Sequence, residues 1–203
     1  MIPNVTIMRN ETVLLTIISF AFSSQIKWSN RFDRDKGRAC KTYYDGIDCR
    51  VLKWRNANGK YKNWSSHKFN KKPAVRYGVS TCIQTGMIVA VHGPFPAGAW
   101  ADQTIYLECV VPNLRPGEKV EVDQGFHGHT ACRPQNFLCK SEKEAKKAAA
   151  GRHETVNGRF KFFRSLDRKF RNNVHEHKYF FFTAVVVTQM MFEQYGTTFD
   201  VSY

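Results

Sequence analysis

Four acidic residues carry the chemistry open to this chain: Asp45, Asp102, Asp123 and Glu154. Asp45 sits between Tyr44 and Gly46 in a run of strand character, and Asp123 closes a short apolar stretch. A short acid in a strand is unfavourable, and costly when buried unless it is paired or bound to a cation. Asp102 and Glu154 have simpler explanations, as a helix cap and as a partner for neighbouring cations. Together the four suit hard divalent cations, Mg2+ or Mn2+, which take oxygen ligands. Two such ions about 4 Å apart can clamp the attacking and leaving oxygens of a phosphodiester. Nothing in the spacing by itself requires the four acids to meet.

The elements that must position them follow from the apolar pattern. Lys41 to Leu52 reads as a strand containing Asp45. Val75 to Ile83 and Met87 to His92 read as two strands joined by a turn at Gln84 to Gly86. His92 to Trp100 is a Pro/Gly loop, and Asp102 opens a helix to about Val110. Lys119 to Val122 is a short strand ending at Asp123. Ser141 to Glu144 has the form of a capping box, with Ser141 as N-cap of a helix through about Arg164 that carries Glu154. Lys178 to Tyr195 is apolar enough for a buried helix, and Thr198 to Tyr203 is a tail. The fold class is α/β, a mixed sheet flanked by helices. Asp48 lies an odd number of residues from Asp45, so it faces the other way and is left out of the site.

The 203 residues carry a formal net charge of +14, which favours a polyanionic partner. The charge is clustered: Arg50 to Arg76 holds nine Lys/Arg and no acid, and Glu142 to Arg171 holds ten against four acids. Lys68 in the first cluster and Arg159, Lys161 and Arg164 in the second are the expected DNA contacts. Lys161, one heptad beyond Glu154, shares nearly its face. Six cysteines with no C-x-x-C pair read as reduced, mostly buried thiols. Thr12 to Phe22 is apolar but too short to span a bilayer, and is expected to pack as a buried helix or strand.

Six segments then occur in order: DGIDCR (Asp45 to Arg50), SSHKF (Ser65 to Phe69), RYGVSTCIQTGMIVAVHGPFPAG (Arg76 to Gly98), WADQTIY (Trp100 to Tyr106), PGEKVEVDQGFHG (Pro116 to Gly128) and RHETVNGRFK (Arg152 to Lys161). They resemble the DDE superfamily endonuclease domain of Harbinger-like transposases, over about residues 28–203. The resemblance implies an RNase H-like fold and metal-dependent cleavage and strand transfer on DNA. It places the catalytic and metal-ligating acids at Asp45, Asp102, Asp123 and Glu154, with either Asp102 or Asp123 as the second member of the triad. It further implies a nuclear location and homo-oligomers when active. Residues 1–27 read as an extension, too short for the DNA-binding region such transposases carry, so a separate DNA-binding protein is expected as partner. Asp45-Gly-Ile47 departs from the more usual D-G-T, and Ala101 stands where a bulkier polar residue is common.

Three alternatives stay open. One is a decayed or domesticated fragment that binds DNA without cutting. A second is a zinc-stabilised nucleic-acid-binding module using His127, His129, Cys132 and Cys139. The third is a secreted glycoprotein, from the apolar N-terminus and the acceptor sequences at Asn4, Asn10 and Asn63. His153 is expected to support Glu154 at most, and His175 and His177 to lie on the surface.

Overall fold

The computed structural model describes residues 13–20, 23–53, 62–197 and 201. Five strands form one mixed sheet in the order β3-β2-β1-β4-β5. They are β1 (Cys40–Arg50), β2 (Ala74–Cys82), β3 (Ile88–Pro96), β4 (Lys119–Glu121) and β5 (Ala131–Cys132). β1 is central. It runs antiparallel to β2, with Asp45 opposite Val79 and Gly46 opposite Gly78. It runs parallel to β4, with Thr42 beside Val120 and Tyr43 beside Glu121. β5 continues the parallel half.

The helices divide between the two faces. Residues 13–20 form α1, followed by α2 (Asp102–Ile105), α3 (Lys140–Phe160), α4 (Arg164–Asp167) and α5 (His177–Tyr195). The alternation along β1 decides what each face buries. Ile47 and Cys49 join Tyr77 and Val79 against Val156 and Phe160 of α3 and Phe181 and Val185 of α5. Tyr44, one residue out of phase, joins Val120 and Val122 against Ile105 and Tyr106. The rings of Tyr77 and Phe181 stack with centroids 3.7 Å apart at the centre of the larger cluster.

Several boundaries differ from the sequence expectation for identifiable reasons. β3 runs on through His92 to Pro96, where a loop was expected. It is an edge strand, so its prolines need donate nothing to a ladder on the open side. β5 has only two residues, too few to leave a periodic signal. The helix opened by Asp102 widens into a π-helical turn at Tyr106–Val110. α3 begins at Lys140 with Cys139 at the cap, which makes no side-chain cap bond, so Ser141 is not the N-cap. It ends at Phe160, and Arg164 starts the separate α4. Residues 13–20 are helical, yet Val13, Leu14, Ile17 and Phe20 are exposed rather than buried. Most of the tail after Thr197, residues 54–61 of the basic loop, and Asn4 and Asn10 lie outside the described residues. Among the described residues no helix is long and apolar enough to cross a membrane.

Candidate functional site

The parallel pairing of β1 with β4 sets the centre of the site. Tyr43 lies beside Glu121, and continuing that register by two residues puts Asp45 beside Asp123. Neighbouring strands are about 4.8 Å apart, so the two carboxyls are neighbours on one face. Both point to the side covered by α3. Tyr43, on that face too, donates its hydroxyl to Asp123 Oδ1 at 2.6 Å. Burial, with help from Asp123 and Asp102, pushes the Asp45 carboxyl up to about 7, while the Lys68 ammonium pulls it back. Asp123 stands just past the carboxyl end of β4, and Asp45 lies midway along β1.

Asp102, expected with the other acids, lies on the opposite face of the sheet, the one Asp48 faces, because α2 packs on that side. Asp102 opens α2, and its carboxylate lies directly over the α-carbon of Gly46, so closely that any side chain at 46 would collide with it. Gly46 is therefore required by the approach of an acid. Arg76 holds this side together. Its Nε and Nη2 donate to Asp48 at 2.6 and 2.9 Å, and its Nη1 donates to Trp100 O. Arg76 Nε also lies 3.2 Å from Asp102 Oδ1. Its one hydrogen is directed to Asp48, so Asp102 Oδ1 stays a buried acceptor without a hydrogen bond among the described residues. Burial raises the Asp102 carboxyl above the usual range, with Arg76 and Lys68 opposing. Asp48 faces away from Asp45, as its spacing requires, and anchors Arg76 and Ser66.

Lys68, an expected DNA contact, is exposed and stands near the acids: its Nζ donates to Gly46 O at 2.8 Å, and its charge acts on both Asp45 and Asp102.

Glu154 lies on α3, which crosses the Asp45 face of β1. The order of contacts locates it. Ala149 packs with Tyr43, the His153 ring lies 5.0 Å from the Tyr43 ring, and Val156 and Phe160 reach Ile47 and Cys49. Lys161 follows, close enough to Cys49 to act on its thiol. Asp45 is thus level with the turn of α3 that holds Glu154. The side chain itself is exposed, on the flank that Ala150, one turn earlier, shares with Asp123 across a hollow. No described contact joins Glu154 to the three aspartates. Among the described residues no group of three or more His, Cys, Asp and Glu side chains stands together closely enough to hold a metal ion. Asp45 and Asp123, paired oxygen donors on one face, are the residues that fit a hard cation; Asp102 lies across the sheet from them, beside Arg76.

Arg164 and Lys161 are exposed, and the Arg159 guanidinium lies over the Phe162 ring at 5.8 Å. His153, next to Glu154, is buried: Thr81 Oγ1 and His153 Nδ1 share a hydrogen bond of 3.0 Å, and burial pushes the imidazole down to about 3. His177 is buried as well, hydrogen-bonded to the Tyr77 hydroxyl at 2.8 Å, not on the surface. The zinc set is not assembled. Cys132 turns to the Cys40 thiol, and His127 is near Arg133.

Sequence reasoning passed over Tyr43, Arg76 and Gly46. Tyr43 had a signal, since two residues along a strand return to the same face as Asp45. Arg76 had none, because its partners lie 28 and 26 positions away in the chain. No known protein family, curated protein or solved structure matches this chain.

Proposed function

We propose that the chain is a divalent-metal-dependent DNA-cleaving enzyme on an RNase H-like sheet, of the type found in Harbinger-like DDE transposases. The observation that carries this reading is the β1–β4 register that sets Asp45 beside Asp123 on the face crossed by α3. The strand order, an antiparallel meander followed by a parallel half, suits that fold. The six ordered segments and the net charge of +14 support a DNA substrate.

In this reading Asp45 and Asp123 are the principal ligands, which makes Asp123 the second member of the triad, and Glu154 joins them from α3. Asp102 supports them from the far side of Gly46. Two Mg2+ or Mn2+ ions, when bound, would activate the nucleophile and stabilise the leaving oxygen. The chain's own residues do the rest. Tyr43 fixes the orientation of Asp123. Lys68 offsets the charge of Asp45 and Asp102. Lys161, Arg159 and Arg164 lie along and beyond the helix of Glu154, where they can hold phosphates.

A second reading, a domesticated or decayed core that binds DNA without cutting, is favoured by one observation. Arg76 is already paired with Asp102, Nε to Oδ1 at 3.2 Å. Plasmid nicking separates the two. With Mn2+, wild type should nick supercoiled plasmid, EDTA should stop it, and Glu154→Gln should cut at least about a hundredfold more slowly, as expected for loss of a charge-stabilising group. If wild type and variant both bind DNA and neither nicks it, the binding-only reading is correct.

A further inference from the structure

Beside Asp123 the surface opens into a cavity of about 450 Å3, within the range of small-ligand sites. The Tyr43 ring and Lys146 lie at its base, Pro134 forms a wall, and Lys143 and Lys147 line it from α3. Lys143 and Lys147 are exposed and one helical turn apart, on the stripe that continues through Ala150 to Glu154.

Lys146 is unusual. It is 5% exposed, its Nζ makes no hydrogen bond among the described residues, and its nearest acid oxygen, Glu121 Oε2, is 3.9 Å away. The ammonium lies 4.7 Å from the centre of the Tyr43 ring. Beside Glu121 the Lys146 ammonium keeps donors to spare, and with the two cations on the rim it can take a further anion. Pro134 and Ala150 add an apolar wall. An anion joined to a flat apolar ring is the chemistry of a nucleotide.

We propose that this hollow is a nucleotide subsite, taking the unpaired nucleotide next to the phosphate positioned at Asp45 and Asp123. Lys143 and Lys147 hold its phosphate above Lys146, and its base lies against Pro134 and Ala150. The position of that phosphate rests on the nuclease reading above. The hollow's affinity for single-stranded DNA does not, and can be measured without cleavage.

The test is fluorescence anisotropy in EDTA with a labelled octathymidylate and an abasic oligomer of the same length. The Lys143→Ala/Lys147→Ala protein should bind octathymidylate at least about tenfold more weakly than wild type. Its plot of log affinity against log salt should be shallower by about 1.4, for two lost contacts to a single strand. Lys169→Ala, an exposed lysine outside the hollow, should bind within about twofold of wild type. Wild type should prefer octathymidylate to the abasic oligomer, and Ala150→Phe, which fills the hollow, should erase that preference. Unchanged binding by the double variant, or no preference in wild type, overturns the subsite. If the subsite is overturned while Mn2+-dependent nicking persists, the nuclease reading stands alone. If the binding results hold and no nicking occurs, the hollow is the nucleotide site of a binding protein.

Discussion

Asp45 concentrates the tension of the site in one side chain. Its carboxyl titrates near 7, against 3.8 for an ordinary aspartate. Below about pH 4 the folded and unfolded chains both hold the proton, and burial costs nothing. As pH rises toward 7 the unfolded chain releases it first, so stability falls, and above 7 the full cost is present. Asp45→Asn keeps the shape and removes the charge. It should melt at a higher temperature than wild type at pH 8, and the gap should close near pH 4. Adding Mn2+ at pH 8 should raise the wild-type midpoint and leave the variant where it is. A variant less stable than wild type at pH 8 would show that the Asp45 charge is already compensated within the fold. Gly46, the next residue, makes the complementary point: it is needed because the Asp102 carboxylate occupies the space of a side chain.

At the level of elements, what matters is how β4 is held beside β1, because that pairing brings Asp123 to Asp45. β4 has three residues and cannot fix its own register. The segment before it is tied down by Glu118, which takes two hydrogen bonds from Arg31, at 2.7 and 3.1 Å, and one from the backbone of Arg115. Arg31 lies over the rings of Trp28 and Phe32, at 4.3 and 4.1 Å. Both charges of the pair are almost fully buried. Removing one partner from such a pair leaves a buried charge and costs about 3–5 kcal/mol. Urea denaturation of Glu118→Ala should show a loss of that size. Arg31→Met/Glu118→Leu, which removes both charges, should recover most of it. If the single variant loses less than about 1 kcal/mol, water reaches Arg31 and the tie is weaker than its geometry. α3 supplies the other half of the arrangement. Its buried stripe from Ala145 to Phe160 fixes its rotation, and that rotation turns Glu154 and the Lys143–Lys147 pair outward on one flank.

Over the whole molecule, two buried histidines set the response to acid. His177 titrates near 4 and His153 near 3, both pushed down by burial from 6.5. The unfolded chain takes up a proton on each as pH falls through 6.5, while the folded chain does not until far lower. Stability therefore falls between about pH 6.5 and 4, by up to about 1.4 kcal/mol per pH unit for each proton. Asp45 and Asp102, both raised by burial, act in the opposite sense, and His92, lowered by burial, acts with the two histidines, so the net slope sums all of these groups. His177→Gln keeps a polar group for the Tyr77 hydroxyl and removes one titration. The slope of its unfolding free energy over that range should be more favourable to the acid side than wild type by about one proton. An unchanged slope would mean that His177 is protonated in the folded protein. The formal net charge of +14 also works at this scale, as a positive field over the surface as a whole.

The sequence by itself determined the things that local chemistry decides. The strand through Asp45, the hairpin turned at Gly86, the helix opened by Asp102, the short strand before Asp123 and the long helices were legible because apolar spacing records which side of an element is buried. Even the exclusion of Asp48 followed from alternation along one strand. The ends of β3, the two-residue β5, the start of α3 and the exposure of the apolar residues in α1 were not legible, since edge position and packing set them. Only the tertiary structure decided which acids meet. Asp45 and Asp123 are neighbours because two strands distant in the chain pair in parallel, and register between strands is fixed by the packing of both faces at once. Asp102 arrives from the other face, and Lys68 and Arg76 enter from a loop and a neighbouring strand. Contacts of that kind join residues with no periodic relation along the chain, so no spacing within the sequence could display them.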